Sequence, residues 1–422
     1  MKNALSKLGQ RTAVPPISWL MHAALSRPKL ISLAAGFTDN PTLPVELSRQ
    51  LLNEILRDEK IGRPAMQYGI TAGENNLRQL TAKHLQKLDD ANSANKNYSP
   101  ERLMITGGSQ QLLYMTLEAL CDEDDIILVE DPTYFVFLSI LQSRGIKARG
   151  VQLERDGIDL ADLENVLSRL KKSGELRRVK ALYLVSYFQN PTGASTSFKK
   201  KIGALKILKQ FERAAGHPIY LLEDAAYREL RFSGDDTKSA LAISGARDRV
   251  IYTGTYSKPF APGARLGFGI LPQELFTVVN RVKGNHDFGS ANLLQQLLAR
   301  ALETGLYGKH VAKIQKRYGQ KARVMKAALA EHFPSGVEIW ESGGGLYFWA
   351  RLPKGISAGP KSKIFQTALK NDVLYVPGEL CYADDPSRKK LDNEMRISFG
   401  SASEENIREG IKRLGKVLRG FL

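Results

Sequence analysis

The residues best equipped for chemistry lie in one short segment, Thr255-Tyr256-Ser257-Lys258, followed by Arg265-Leu266-Gly267. It comes directly after an apolar run, Val250–Gly254, that reads as a buried strand. α/β sheets bind ligands at the carboxyl ends of their strands, so Lys258 stands where a ligand is expected. Partial desolvation there disfavours its ammonium and favours the free amine. A free amine forms a Schiff base with a carbonyl cofactor. Thr255 and Ser257 add hydroxyls, and Arg265 adds a planar fork suited to a phosphate. A solvated loop lysine fits the segment equally well, so the neighbours must decide.

Other strand ends carry matching groups. Asp224 closes the apolar run before Ala225-Ala226-Tyr227. A carboxylate there can pair with a pyridinium nitrogen and keep it protonated, as pyridoxal phosphate chemistry requires. Asn190, in Phe188-Gln189-Asn190-Pro191-Thr192-Gly193, can donate to a phenolate oxygen from a turn fixed by Pro191 and Gly193. The intervals Asn190 to Asp224 and Asp224 to Lys258 are both 34 residues, room for a connection and a return to one sheet edge. Thr106-Gly107-Gly108-Ser109-Gln110-Gln111 offers glycines and a helix N-terminus to a phosphate. Ser109 also suits a plain N-cap. Tyr134, in Asp131-Pro132-Thr133-Tyr134, can stack on a flat ring or simply pack in the core. Taken singly each motif is ordinary; an isolated Asn-Pro-x-Gly is usually a turn.

Positioning these groups takes an α/β layered sheet. Strands are expected at Arg102–Thr106, Asp125–Glu130, Val179–Ser186, Ile219–Glu223, Val250–Gly254 and Leu266–Leu271. Helices are expected at Val45–Glu59, Glu74–Leu88, Ser109–Leu120 and Ser197–Ala214. After Pro272 helical patterns dominate to about Glu331. Leu346–Leu352, Lys363–Leu369, Met395–Phe399 and Glu404–Leu418 then suggest a small α+β unit. The expected division is an N-terminal segment 1–45, a large domain 46–300 and a small domain 301–422.

Composition narrows the classes. A length of 422 residues exceeds one ordinary domain, and 43% apolar with 25% charged residues is globular usage. The 61 Lys+Arg against 44 Asp+Glu give +17, which raises nucleic acid or a membrane surface as partners. Neither is expected. Lys199, Lys200, Lys201, Lys206 and Lys209 interleave with Ile202, Leu205 and Leu208. Lys309, Lys313, Lys316, Arg317, Lys321, Arg323 and Lys326 interleave with Val311, Ile314 and Val324. Both sets read as solvated helix faces. No run reaches the roughly 18 apolar residues of a membrane helix. Ile17 to Leu25 is broken by His22 and lacks a cleavage pattern, so a leader is not expected. Two cysteines, Cys121 and Cys381, make no disulfide framework, and a cytoplasmic location is the simplest expectation. Six scattered histidines without His-Glu-x-x-His or Cys-x-x-Cys point to no metal site.

The ordered set of Gly-Gly-Ser-Gln-Gln, Asp-Pro-Thr-Tyr, Asn-Pro-Thr-Gly, Asp-x-x-Tyr and Thr-x-Ser-Lys with Arg265 resembles the class I/II aminotransferases. These are pyridoxal-phosphate enzymes of fold type I, the aspartate-aminotransferase-like fold. That fold has a large domain with a mostly parallel sheet between helices and a small α+β domain. The resemblance runs from Ile31-Ser32-Leu33-Ala34-Ala35-Gly36 to Arg396-Ile397-Ser398-Phe399. Gly-Gly-Ser-Gln-Gln and Ala-Pro-Gly-x-Arg-Leu-Gly are most similar to the branch holding kynurenine and 2-aminoadipate aminotransferases.

The resemblance implies a role for each position. Lys258 is the Schiff-base lysine and the acid/base of the proton shift. Asp224 pairs with the pyridine nitrogen, and Asn190 and Tyr227 bond the ring's phenolic oxygen. Tyr134 stacks on the ring. Ser109, Gln110, Thr255, Ser257 and Arg265 hold the phosphate of pyridoxal 5′-phosphate. Tyr68, in Gln67-Tyr68-Gly69, reaches the phosphate in a partner subunit's site. Arg396 clamps the substrate α-carboxylate, with Asn190 and the Gly36 backbone nearby. Without the resemblance, Arg396 is an ordinary strand charge.

The implied enzyme is a homodimer with shared active sites, moving an amino group from an L-amino acid to a 2-oxo acid, 2-oxoglutarate first. Many members of the nearest branch carry Ile-Arg-Glu where this chain has Ser18-Trp19-Leu20. Loss of that arginine disfavours acidic donors, and Trp19 favours apolar or aromatic ones; Trp19 also fits a packing role. The family's Gly-Gly-Leu-Pro is altered to Ala35-Gly36-Phe37-Thr38. Other reactions of the fold remain open: β-lyase, decarboxylase or aminocyclopropane-carboxylate-synthase-like. An aminotransferase-like effector module of a transcription regulator is a further alternative. Such regulators carry an added DNA-binding domain, for which no room is expected before residue 15.

Overall fold

The computed structural model describes residues 4–16, 18–20 and 26–422. Most of the Ile17 to Leu25 stretch, His22 included, lies outside the described residues. A short strand β1 (Ile31–Ser32) precedes the main run. β2 (Leu103–Thr106), β3 (Ile126–Asp131), β4 (Lys147–Glu154), β5 (Gly157–Ile158), β6 (Val179–Val185), β7 (Tyr220–Asp224), β8 (Val250–Thr255) and β9 (Gly267–Ile270) form one sheet. Its order is β2-β9-β8-β7-β6-β3-β4-β5. The interior strands β8, β7, β6, β3 and β4 run parallel, while β9 is antiparallel to both β8 and β2. Every residue of β2, β3, β8 and β9 is buried. Continuous apolar runs survive there because helices cover both faces.

The register brings the strand ends level. Val185 lies opposite Asp224, and Thr255 opposite Gly267. The segments holding Tyr134, Asn190, Asp224 and Lys258 therefore leave the same edge of the sheet. Helices Ser109–Leu120 and Phe198–Ala215 return the chain between strands. The latter starts where Ser197 Oγ accepts the Lys200 N–H and ends at Gly216 with φ 81°, a left-handed stop that suits glycine.

The remaining strands are β10 (Glu338–Trp340), β11 (Tyr347–Arg351), β12 (Val373–Leu374), β13 (Val376–Pro377) and β14 (Glu394–Ser398). β10-β11-β14-β13 make an antiparallel sheet that carries Tyr347 and Arg396. β1 pairs in parallel with β12, tying the N-terminal segment to the C-terminal part of the chain. The 27-residue helix Leu306–His332 packs against Glu404–Arg419.

Three differences from the sequence expectations have physical causes. Val45–Glu59 is not one helix: Val45–Arg57 ends at Asp58, whose extended backbone and carboxylate, accepting the Lys60 N–H, start a second helix at Glu59. Helices Phe135–Arg144 and Leu160–Lys172 and strand β4 fall in stretches with no expected element. The basic helices are not wholly solvated faces either. Lys201 is fully buried, bonded to Glu223 at 2.8 Å and seated over the Tyr187 ring. Lys321 is buried against Asp39 at 2.9 Å. A charge pattern along a helix does not show which lysine finds a buried carboxylate.

Candidate active site

A cavity of about 300 Å³ opens at the common strand edge. Its lining includes Gly36, Ser109, Gln110, Tyr134, Asn190, Asp224, Tyr227, Thr255, Ser257, Lys258, Arg265 and Arg396. Residues more than 350 positions apart are thus brought to one place. Two expected residues lie elsewhere. Tyr68 is 83% exposed, its ring edge-on to Phe288. Trp19 packs edge-on against Phe365, ring centroids 5.8 Å apart, away from the cavity lining.

Lys258 Nζ donates to the Gly36 carbonyl at 2.7 Å. Desolvation, with Arg396 and Arg265 adding like charge, pushes its ammonium down to about 8. A reactive amine fraction is therefore present near neutral pH. Asp224 is buried at the end of β7, accepting the Tyr183 hydroxyl at 2.9 Å and the Ala226 N–H at 3.1 Å. Burial pushes its carboxyl up to about 6 despite those bonds. Among the described residues it has no cationic partner. A cation delivered into the cavity would lower that pKa again.

Arg396 is 2% exposed on β14. Its Nη1 donates to Asn190 Oδ1 and its Nη2 to the Ala34 carbonyl, both at 2.6 Å. Its Nε has no partner, and it forms no ion pair among the described residues. The Phe135 and Tyr347 rings flank it at 5.4 and 4.3 Å. A buried guanidinium without a counter-ion is costly and is made whole by a carboxylate. Asn190 Nδ2 donates to Tyr227 Oη at 3.4 Å, and that hydroxyl meets Tyr347 Oη at 3.0 Å. Burial raises the Tyr227 phenol well above its ordinary range, so it stays a donor.

The opposite end is built for a phosphate. Gly108 holds φ 99° as the N-cap of Ser109–Leu120, so Ser109 is the first helical residue rather than the cap. A Cβ on Gly267 would stand 2.4 Å from the Ser109 nitrogen. Glycine there lets β9 press against the turn. Ser109, Gln110, Ser257 and the exposed Arg265 face this end with the free N–H groups of the first turn. Thr255 Oγ1 accepts the Ser257 N–H at 3.0 Å and so shapes the loop between them.

Sequence reasoning missed Tyr347, Phe37, Phe135 and Tyr183. Tyr183 was legible only as the one hydroxyl in Ala181-Leu182-Tyr183-Leu184-Val185. Tyr347 follows Gly343-Gly344-Gly345, a backbone signal without chemistry of its own.

Residues 28–414 match the aminotransferase class I and II family. The chain is 33% identical over 390 residues to an aromatic-amino-acid aminotransferase of Thermococcus litoralis, covering 92% of this chain and 88% of that one. Its fold superimposes on a Pyrococcus horikoshii kynurenine aminotransferase solved with pyridoxamine phosphate and kynurenine, TM-score 0.89. Identity there is 32%, covering 99% of this chain and 98% of that one. It also superimposes on a Thermus thermophilus α-aminoadipate aminotransferase complexed with N-(5′-phosphopyridoxyl)-L-leucine, TM-score 0.83. Identity is 31%, covering 99% and 97%. The fold is fold type I, the aspartate-aminotransferase-like fold.

Proposed function

We propose that this chain, which belongs to the class I and II aminotransferases and is a transaminase, moves the amino group of an aromatic or apolar L-amino acid to a 2-oxo acid such as 2-oxoglutarate, using pyridoxal 5′-phosphate. One observation carries the reading: Lys258, Asp224 and Arg396 converge on one cavity and none has an ionic partner among the described residues. The donor set fits the cofactor. Asp224 suits the ring nitrogen, Asn190 and Tyr227 the phenolic oxygen, Tyr134 the ring face. Ser109, Gln110, Ser257 and Arg265 suit the phosphate, with Thr255 holding the loop. When bound, the cofactor supplies an aldehyde for the amino group and a ring that draws charge from the substrate Cα.

The chain's own residues supply the rest. Arg396 holds the α-carboxylate, and Asn190 fixes the guanidinium in plane. Asp224 keeps a negative charge beside the ring nitrogen. Lys258 Nζ takes the Cα proton as general base and returns it as general acid. The Gly36 carbonyl orients that amine. Phe37, Phe135 and Tyr347 wall the substrate end, and the cavity's cations are Lys258, Arg265 and Arg396. Among the described lining residues no further cation is dedicated to a side chain, so a side-chain carboxylate such as that of 2-oxoglutarate would sit there without an ion pair of its own. The preference for apolar or aromatic donors therefore rests on these rings rather than on Trp19.

A second copy of the chain completes the reading. Met66, Tyr68, Ile70 and Phe288 are large apolar groups left exposed. An apolar groove along Leu52, Leu56 and Phe260 shares Pro262 with the cavity. A homodimer covering this face would bring Tyr68 to its partner's phosphate. Among the described residues no helix is long and apolar enough to cross a membrane. Cys121 and Cys381 are free and buried, which supports a cytoplasmic protein. Single amino acids mixed with cofactor-loaded protein, without an acceptor, test the reading. Aromatic donors should bleach the visible cofactor band fastest and yield their 2-oxo acids. Release of ammonia or carbon dioxide in place of the 2-oxo acid would overturn it.

A further inference from the structure

Glu130 has no exposed surface, yet it is absent from the cavity lining. It sits near the end of β3, one strand from the loop that carries Asn190. The β3–β6 ladder stops at Val129 and Tyr183, which leaves the next inward N–H of β6, that of Val185, without a backbone acceptor on β3. Glu130 Oε2 fills that place, accepting the Val185 N–H at 2.9 Å. The same oxygen accepts Gln189 Nε2 at 2.7 Å. Gln189 in turn donates to the Pro132 carbonyl at 3.1 Å and receives the Thr192 hydroxyl at 2.5 Å. Its backbone is held as well, by Ala194 and Gly193, each at 2.7 Å. The next residue along is Asn190, whose Oδ1 receives Arg396.

We propose that Glu130 is a positioning residue, holding the Gln189–Gly193 loop through Gln189 so that Asn190 keeps Arg396 aimed at the substrate carboxylate. The inference rests on the roles proposed above for Asn190 and Arg396. Burial, with Asp224 nearby adding like charge, pushes the Glu130 carboxyl up to about 8 against the opposing hydrogen bonds from Gln189, Val185 and Thr196. The neutral form of Glu130 is therefore favoured at neutral pH. A neutral Glu130 leaves Asp224 as the anion facing the cofactor. It also means that an amide can replace the acid, since one oxygen accepts both donors.

Two variants separate geometry from charge. Glu130→Gln should keep the KM for an aromatic donor and the cofactor band within about twofold of the parent. Glu130→Ala should raise that KM about tenfold or more with a smaller fall in kcat, the mark of lost substrate binding. Hydrogen exchange on the cofactor-free protein gives a readout independent of turnover: the Val185 and Gly193 amides should exchange faster in Glu130→Ala and not in Glu130→Gln. Should Glu130→Ala fail to fold, Gln189→Ala cuts the other end of the clamp and should raise KM by a similar factor. Unchanged KM and unchanged exchange in Glu130→Ala or Gln189→Ala would overturn the proposal. So would Glu130→Gln as damaged as Glu130→Ala. Asn190→Ala, run beside them, tells the two readings apart. If it leaves KM unchanged while Glu130→Ala still loosens the loop amides, the fault lies with the assigned role of Asn190.

Discussion

Buried charge is treated in opposite ways in two regions of this molecule. Behind the sheet, Arg228 meets Asp89 at 2.7 Å and Asp236 at 3.1 Å, and Lys201 meets Glu223 at 2.8 Å. Asp89 also receives the Tyr98 and Ser239 hydroxyls and the Ser239 N–H. Each charge there finds an opposite charge inside the chain. In the cavity, Asp224 and Arg396 are buried and Lys258 is half-buried, all with only neutral partners. The residue types are the same; the completeness of the partner set differs. A buried charge left incomplete costs stability and is made good by what binds. The comparison gives a rule for locating function: look for the incomplete set.

The largest effect expected from breaking this contrast is at Lys258. Lys258→Ala removes the acid/base and should cost about 10²–10⁴-fold in kcat/KM. The cofactor's visible band should change as well. Its cofactor-free form should melt no lower than the parent, because the amine had no ionic partner to lose. Thermal melts of the two cofactor-free proteins check this, and a large loss would show that Lys258 serves the fold.

Arg228→Ala should do the reverse. It strands Asp89 in the interior and should destabilise by about 3–5 kcal/mol in denaturant titrations. Protein that still folds should retain its cofactor band. The acid side gives a second reading. Burial opposes ionisation of Asp89, but Arg228 and the Ser239 and Tyr98 bonds win and hold it below its ordinary value. A depressed carboxyl adds stability above its unfolded pKa and loses it as pH falls through the folded one. Arg228→Ala should abolish that acid-side loss.

The contrast also explains what could be read from the chain beforehand. The strands and the ligand-bearing ends were legible because buried parallel strands are continuous apolar runs with polar residues at their carboxyl ends. Lys258, Asp224 and Asn190 each sit just past such a run. Arg396 was not legible by that logic. It lies within an antiparallel strand, and its place opposite Asn190 is made by tertiary packing. Glu130 was invisible as well, since its place beside Val185 and Gln189 of the neighbouring strand and loop is made only by the fold. Lys201 and Lys321 misled in the other direction. Helical periodicity put them among solvated lysines, and only the folded chain shows Glu223 and Asp39 waiting beneath them. Sequence marks where charges are; the fold decides which are paired.

Asp224 is the place to sharpen the rule, with the smallest of the three effects. Its folded carboxyl is raised to about 6 from an ordinary 3.8, so the folded protein holds that proton more tightly than the unfolded one. Stability therefore falls as pH rises through this window, the opposite sign to Asp89. A shift of this size corresponds to about 3 kcal/mol above pH 6. Glu130, raised to about 8, and Asp131, raised to about 6, slope the same way, so the parent's curve alone does not isolate Asp224. The difference between parent and Asp224→Asn does. In the cofactor-free proteins it should be near zero at pH 4 and should grow to favour the variant above pH 6. In the loaded proteins the sign should reverse, because a cation opposite the carboxylate returns the lost energy and asparagine cannot provide that pairing. A variant less stable than the parent at pH 7 without cofactor would mean that Asp224 is already satisfied by Tyr183 and Ala226. The cavity would then differ from the Asp89 nest only in location.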